Sequence, residues 1–222
     1  MSPPEQLPTA RIGDTCWNDA VYEPSDDSFL LVDALQAHAP AWAHTRPCTV
    51  LEIGSGSGYV LTSAALMLRA LGLAPQLLAV DINPAAAAAT RATLDAHGVA
   101  GADIVVTDLV AGLGPQLLGH IDVLIFNPPY VPTPDEEVLL DGIARAWAGG
   151  DRGRRVIDRV LAMLPQLLSP RGELFMVAVK ENDPGGILAE MAGRGFVGRT
   201  LLARQADEEA LCILHLKRTS TA

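Results

Sequence analysis

The run Val50-Leu51-Glu52-Ile53-Gly54-Ser55-Gly56-Ser57-Gly58 restricts the fold of this chain more than any other stretch. An apolar segment of buried-strand length passes into three alternating glycines, and helical periodicity follows over 59–71. Glycines there allow a tight turn and let a ligand approach backbone N–H groups at a helix start. The alternation continues, with strands expected at 76–80, 102–106, Ile121–Phe126 and 172–179. Helices are expected at 26–39, with Ser25 as N-cap, and at 84–97, 151–168 and 184–193. Two last strands, 196–203 and 210–216, joined across 205–209, read as an antiparallel hairpin. The fold expected is α/β: one doubly wound, seven-stranded, mostly parallel sheet, over 21–222, behind a loose leader at 1–20.

The glycine turn departs from the dinucleotide pattern, which wants a third small residue where Tyr59 stands and an acid about 20 residues further on. Asp81 lies well beyond that spacing, and no Lys or Arg in the turn could meet a phosphate. Glu52 would repel a pyrophosphate and suits a cation carrying an ammonium and a sulfonium, so the cofactor expected is S-adenosylmethionine. Asp81, at a strand end, is placed to accept both ribose hydroxyls; the alternative is a cap for the helix from Pro84. Asp108-Leu109 could read an adenine edge, with a carboxylate for the exocyclic amine and a backbone N–H for a ring nitrogen. Alone, Asp108 would be a turn residue. In series with Glu52, Asp81 and Asn127, each just past a strand end, it reads as part of a site.

Asn127-Pro128-Pro129-Tyr130 adds the chemistry. An amide or exocyclic amino nitrogen is a poor nucleophile because its lone pair is delocalised. A site that alkylates it must hold its N–H bonds in acceptors that favour the localised, tetrahedral form. The Asn127 side-chain oxygen and the Pro128 carbonyl can be those acceptors, while Pro128 and Pro129 stiffen the loop and remove two donors. Tyr130 can stack on the planar group, and attack on a sulfonium methyl then follows from positioning and electrostatics. Asn-Pro is also a common turn opener.

Further segments sharpen this into a family resemblance. Val21-Tyr22-Glu23-Pro24-Ser25-Asp26-Asp27-Ser28-Phe29, the glycine turn, Asp81-Ile82-Asn83-Pro84, Thr107-Asp108-Leu109, the Asn127 motif, Ala146-Trp147-Ala148-Gly149-Gly150 and Val179-Lys180-Glu181-Asn182 resemble the eukaryotic and archaeal release-factor glutamine N5-methyltransferases. The resemblance spans about residues 15–217. It implies a class I, Rossmann-like methyltransferase acting on the glutamine of the Gly-Gly-Gln loop in a class I translation termination factor. Histone lysine is a second substrate assigned to some members. Cofactor contacts carried over by motif are Tyr22, Ser28, Glu52, Gly54, Gly56, Gly58, Asp81, Ile82, Asp108, Leu109 and Asn127; substrate contacts are Asn127, Pro128, Pro129 and Tyr130. Asn127, Pro128 and Tyr130 would be catalytic. Ser28 stands where relatives often have Thr, and the 132–140 segment carries Asp135, Glu136 and Glu137, two departures from the family pattern.

The resemblance also implies pairing with a small zinc-binding activator subunit. Asp103-Ile104-Val105-Val106-Thr107, an apolar strand expected at a sheet edge, offers a place for it, unless the N-terminal segment covers that edge. The long connection 131–150, with Trp147, reads as a substrate-side loop; Trp147 as simple packing is the alternative.

With 222 residues there is little room for a separate target-recognition domain. A formal charge of -10 opposes unaided binding to a phosphate backbone. That weighs against adenine-N6 methylation of nucleic acid, the nearest rival chemistry, and favours a basic protein substrate. Against lysine methylation, an acceptor pair built for amide N–H bonds offers no evident base. Cys16, Cys48 and Cys212 and the five histidines show no ligand spacing, so no metal is expected. No apolar span suits a bilayer and no targeting start is apparent, so the chain is expected in the cytoplasm, with the nucleus as a further compartment. A 49% hydrophobic content is high for a soluble chain and agrees with an apolar patch kept for a partner.

Overall fold

The computed structural model describes residues 6–137, 146–206 and 209–219. The strands are β1 (Thr49–Ile53), β2 (Gln76–Asp81), β3 (Asp103–Val106), β4 (Ile121–Phe126), β5 (Leu168–Val179), β6 (Phe196–Ala206) and β7 (Glu209–Arg218). They form one sheet in the order β3-β2-β1-β4-β5-β7-β6, parallel from β3 to β5 and antiparallel at β7 and β6. The helices are α1 (Asp26–Thr45), α2 (Tyr59–Ala70), α3 (Pro84–Ala96), α4 (Arg155–Leu167) and α5 (Pro184–Ala192). β1 is buried along its whole length and β2 after its first residue, as expected of parallel strands covered by helices on both faces. After β3 the chain crosses to the other side of β1 and pairs β4 there. That reversal opens a crevice at the carboxyl ends of β1 and β4, where doubly wound sheets bind ligands.

Three local expectations are revised. Ser25 occupies the N-cap position of α1 but makes no side-chain cap bond; it is the carboxylate of Asp27 that accepts the Ser28 N–H. α1 also runs past Pro40 to Thr45. An interior proline costs about 3 kcal/mol, and burial of a tryptophan contributes about 3–5 kcal/mol. Trp42, fully buried in the last turn with its indole N–H on Glu173 at 2.9 Å, therefore holds the helix together beyond the proline. The described part of the leader is also docked rather than loose. Ala10 N–H donates to Ser63 of α2, while Arg11 and Cys16 donate to His97 and Thr93 at the end of α3. Polar composition concealed this because the docking uses backbone donors.

β3 stands at the sheet edge, with Val106 half exposed and Ile104 and Val105 partly buried. The leader packs on α2 and α3, and no described strand pairs with β3 on its outer side. Between β3 and residues 112–117 lies a concavity of about 590 Å³, lined by Ile104, Val105, Leu113 and Leu117. The hairpin of β6 and β7 is longer than expected on both strands, and 207–208 in its 205–209 connection lie outside the described residues. So do 1–5 of the leader and 138–145 of the 131–150 connection. Among the described residues no helix is long and apolar enough to cross a membrane.

One buried polar group joins the outer strands to α1. Glu173 of β5 accepts from Trp42, and lies 2.8 Å from His215 of β7 and 3.2 Å from His38 of α1. It is the cluster among the described residues whose His and carboxylate donor atoms converge, all within 4.8 Å. Its spacings are those of hydrogen bonds, which satisfy the carboxylate without an ion. Burial would raise the Glu173 pKa, but hydrogen bonds from His215, His38 and Trp42, with the charge of His38, outweigh it and bring the value down to about 2. A depressed carboxylate pKa stabilises the fold above the unfolded value and ceases to do so as pH falls through the folded one. The contribution, about 3 kcal/mol, is therefore complete above about pH 4.5 and lost towards pH 2. Glu173→Ala should leave the buried His215 and the partly buried His38 without their shared acceptor and lower stability by about 3–5 kcal/mol, read by urea unfolding at neutral pH. A change under about 1 kcal/mol would show the cluster to be incidental.

Candidate active site

A cavity of about 400 Å³ opens at the carboxyl ends of β1, β2 and β4, between the Gly54 turn, Asp81 to Ala86, Thr107 to Leu109 and Asn127 to Pro129. The β3 concavity is larger, but it is lined by strand starts such as Thr49, Gln76 and Asp103 and holds none of the groups singled out at strand ends. Tyr22, Gly54, Gly56, Asp81, Ile82, Asp108, Leu109, Asn127 and Pro129 all line the strand-end cavity. Ser28, Glu52, Gly58, Pro128 and Tyr130 do not.

The turn after β1 is fixed by backbone bonds: Gly54 and Ser55 N–H donate to the Val80 carbonyl at 2.8 and 3.3 Å. Gly54, Gly56 and Gly58 have φ of 71°, 53° and 78°, the left-handed region that favours glycine. Their uses differ. A Cβ on Gly56 would meet nothing, so its backbone faces open space, whereas a Cβ on Gly58 would come within 2.7 Å of Thr90 Cα. Gly58 therefore serves the approach of α3 to the turn and not ligand contact.

Asp81 braces this turn. One carboxylate oxygen accepts the Gly56 N–H at 2.9 Å and the other the Asn83 N–H at 2.8 Å. Burial raises its pKa against the lowering effect of those N–H groups. The cap of α3 is Asn83, whose side chain accepts the Ala85 N–H at 3.0 Å. Asp81 lines the cavity, and each of its oxygens can accept a further donor.

Glu52 is turned beneath the loop, fully buried, with its carboxylate on the Leu61 N–H at 3.1 Å. Burial pushes its pKa well above the usual range, the Leu61 bond opposes this and the charge of Asp81 adds to it. Two acids held this close with raised pKa values mark a place where a cation would be welcome.

Leu109, at φ 51°, is a non-glycine residue in the left-handed region, a backbone strain typical of functional sites. The Asp108 carboxylate is engaged by Arg159 of α4 at 2.7 Å, and Arg159 lines the cavity too. Sequence reasoning missed this arginine because it comes from a helix 51 residues away.

The Asn127 loop is clamped from both sides. Asn182, fully buried after β5, donates to the Tyr130 carbonyl at 2.9 Å and to the Arg152 carbonyl at 2.8 Å, and accepts the Val179 N–H at 2.8 Å. Gly153, at φ 66°, packs so closely that a Cβ there would lie 1.8 Å from the Tyr130 carbonyl oxygen. Residues 147–150 return along this loop, with Val131 N–H on the Trp147 carbonyl and Gly149 N–H on the Val131 carbonyl. Trp147 itself is 38% exposed and so is not simply packed away.

Asp27 was likewise missed, although it sits inside a segment the sequence reading singled out. Only 3% exposed, it collects five donors. Ser28 N–H and hydroxyl bind one oxygen at 2.5 and 3.1 Å; Asn127 Nδ2, Tyr22 OH and Tyr130 OH bind the other at 3.0, 3.3 and 3.4 Å. Tyr130 is buried with its hydroxyl on this carboxylate, behind the cavity wall, a position that differs from the stacking expected of it. Asn127 Oδ1 is buried and makes no hydrogen bond among the described residues. The site thus ends in an unsatisfied acceptor on a rigid loop, beside paired acids that favour a cation.

Comparison with known proteins agrees with that chemistry. The family model described as methyltransferase small domain matches residues 25–144. The chain is 49% identical over 199 residues to methyltransferase HEMK2 of Mus musculus, covering 90% of each protein. It is 36% identical over 212 residues to the eRF1 methyltransferase catalytic subunit mtq2 of Schizosaccharomyces pombe, covering 89% of each. Among solved structures it resembles a chain of the E. cuniculi Mtq2-Trm112 complex, responsible for the methylation of the eRF1 translation termination factor, with a TM-score of 0.62 and 26% identity, covering 90% of this chain and 99% of that one.

Proposed function

The chain belongs to the methyltransferase small domain family, and within it to the release-factor glutamine methyltransferases; from this we propose that it methylates the side-chain amide nitrogen of glutamine in the Gly-Gly-Gln loop of a class I translation termination factor. The observation that carries the proposal is the buried Oδ1 of Asn127, which has no hydrogen-bond partner among the described residues. A buried acceptor left unsatisfied costs about 1–3 kcal/mol, and an NH2 group arriving in the cavity relieves that cost.

The residues present fit S-adenosylmethionine. Asp81 would take the ribose hydroxyls and Asp108 with the Leu109 N–H the adenine edge, while Ile82, 42% exposed, would lie against the ring. The open backbone at Gly54 and Gly56 would receive the amino-acid end, with Glu52 and Asp81 supplying negative charge nearby. Glu52 acts through the loop it supports rather than by contact. When bound, the cofactor supplies an electrophilic methyl group on sulfur. Asn127 Oδ1 holds one of the amide N–H bonds, and the surplus proton passes to water. Asp81→Ala should weaken cofactor binding about 10–100-fold in calorimetry and leave the fold cooperative. An unchanged affinity would remove Asp81 from the site.

As partner we propose a small zinc-binding activator subunit, seated on the outer edge of β3 and the adjoining concavity of mixed apolar and polar lining, where the unpaired strand edge and exposed Val106 invite strand addition. Termination runs in the cytoplasm, and that is the compartment proposed. The experiment is a methyl-transfer assay with labelled cofactor, the chain with and without the activator, and three acceptors: termination factor, histone and an adenine-containing oligonucleotide. Transfer should go to the termination factor. Faster transfer to either of the others would reverse the assignment.

A further inference from the structure

We propose that Asp27 is the positioning residue that sets which end of the Asn127 amide faces the substrate. The inference rests on the reading of Asn127 as acceptor for the substrate NH2. A side-chain amide presents an acceptor at one end and two donors at the other, and a half-turn about its last torsion exchanges them with little change of shape. Only the oxygen-inward orientation serves a donor NH2. The opposite one would set N–H against N–H.

Asn127 does not choose its own orientation: it is partly buried, and neither Pro128 nor Pro129 has a backbone donor to fix its oxygen. A carboxylate oxygen that accepts requires a donor opposite it, so the group at 3.0 Å from Asp27 is Nδ2, and Oδ1 is turned away from Asp27, in a residue that lines the cavity, where it is buried and has no hydrogen-bond partner among the described residues. Asp27 in turn cannot swing away. Its other oxygen is held by the backbone N–H and hydroxyl of Ser28 in the first turn of α1, where a negative charge is favoured by the helix dipole. Tyr22 and Tyr130 hydroxyls close on the oxygen that Asn127 shares. A residue 100 positions before the motif thus decides its polarity.

The test is a set of variants assayed as the complex with the activator, on the termination factor. D27N can accept or donate towards Asn127, so it no longer selects an orientation; kcat should fall about 10²-fold with cofactor affinity unchanged. N127D faces Asp27 with a like charge and should be slow too. In D27N/N127D the bond is restored with reversed polarity: Asn at 27 donates, and the second carboxylate oxygen at 127 faces the substrate. That double variant should recover at least about tenfold over either single variant, a coupling that independent losses would not give. In nitrogen-15 spectra the Asn127 side-chain N–H pair should be slow to exchange in the wild type and fast in D27N.

Full activity in D27N, or a double variant no better than the singles, would overturn the proposal. Should D27N not fold, N127D against the double variant decides on the same terms. The functional reading fails separately: if the wild type leaves the glutamine unmethylated, that reading falls, whereas a methylating wild type matched by D27N removes only the role of Asp27.

Discussion

Asn127→Ala should lower kcat by about 10²–10³-fold while S-adenosylmethionine affinity stays within about tenfold. The amide nitrogen of glutamine becomes a competent nucleophile only as its N–H bonds bend out of plane, and Oδ1 of Asn127 holds one of them. Its contact strengthens as the nitrogen becomes tetrahedral, so its loss falls on the transition state and not on ground-state binding. The same substitution frees Asp27 of a donor, but four others remain on that carboxylate. Stability should therefore change by no more than about 1–2 kcal/mol. Single-turnover rates and cofactor calorimetry on the same preparation separate these effects. If cofactor affinity fell as far as the rate, Asn127 would be a cofactor ligand and the division of labour proposed for the loop would be wrong.

Gly153→Ala should damage both stability and activity from outside the cavity wall. Its φ of 66° places the new side chain in the left-handed region, and its Cβ would lie 1.8 Å from the Tyr130 carbonyl oxygen and 2.5 Å from the Asn182 amide nitrogen. Strain of about 1–2 kcal/mol adds to overpacking of about 1–3 kcal/mol, so about 2–5 kcal/mol is expected in all. In a chain of this size that lowers Tm by about 5–20 °C. Because the atoms that must give way hold the Asn127 loop, activity should fall further than the folded fraction does. A variant with wild-type Tm and wild-type rate would show that the loop is not clamped where the packing puts it.

Much of this was legible beforehand, and the misses have a common cause. The strand ends at Ile53, Asp81 and Phe126 announced themselves because each apolar run stops at or just before a polar or glycine residue: Gly54, Asp81 and Asn127. The hairpin at the carboxyl end and the edge position of β3 followed from chain order. What sequence reading could not supply were partners brought together by folding. Asp27 lies 100 residues from Asn127, Arg159 lies 51 from Asp108, and Glu173 lies 135 from His38. None of these pairings leaves a local pattern. Glu52 and Gly58 show the converse: the strand, glycine turn and helix around them are where the pattern put them, but local spacing does not say whether a residue faces the cavity or supports the turn beneath it. The leader was misjudged for a related reason, since docking through backbone N–H groups leaves no trace in composition. Asn182 stood inside a quoted motif without a role until its amide was seen holding the Tyr130 carbonyl.

The central claim is that Asn127 Oδ1 waits for the NH2 group of a protein glutamine. Mass-spectrometric mapping of the termination factor, after incubation with labelled S-adenosylmethionine and the chain in complex with its activator, tests it most directly. A single methyl group on the side-chain nitrogen of the Gly-Gly-Gln glutamine, absent with the Asn127→Ala enzyme, is the result predicted. Methyl transfer to a lysine of that factor, or transfer that persists when the glutamine is replaced, would contradict it.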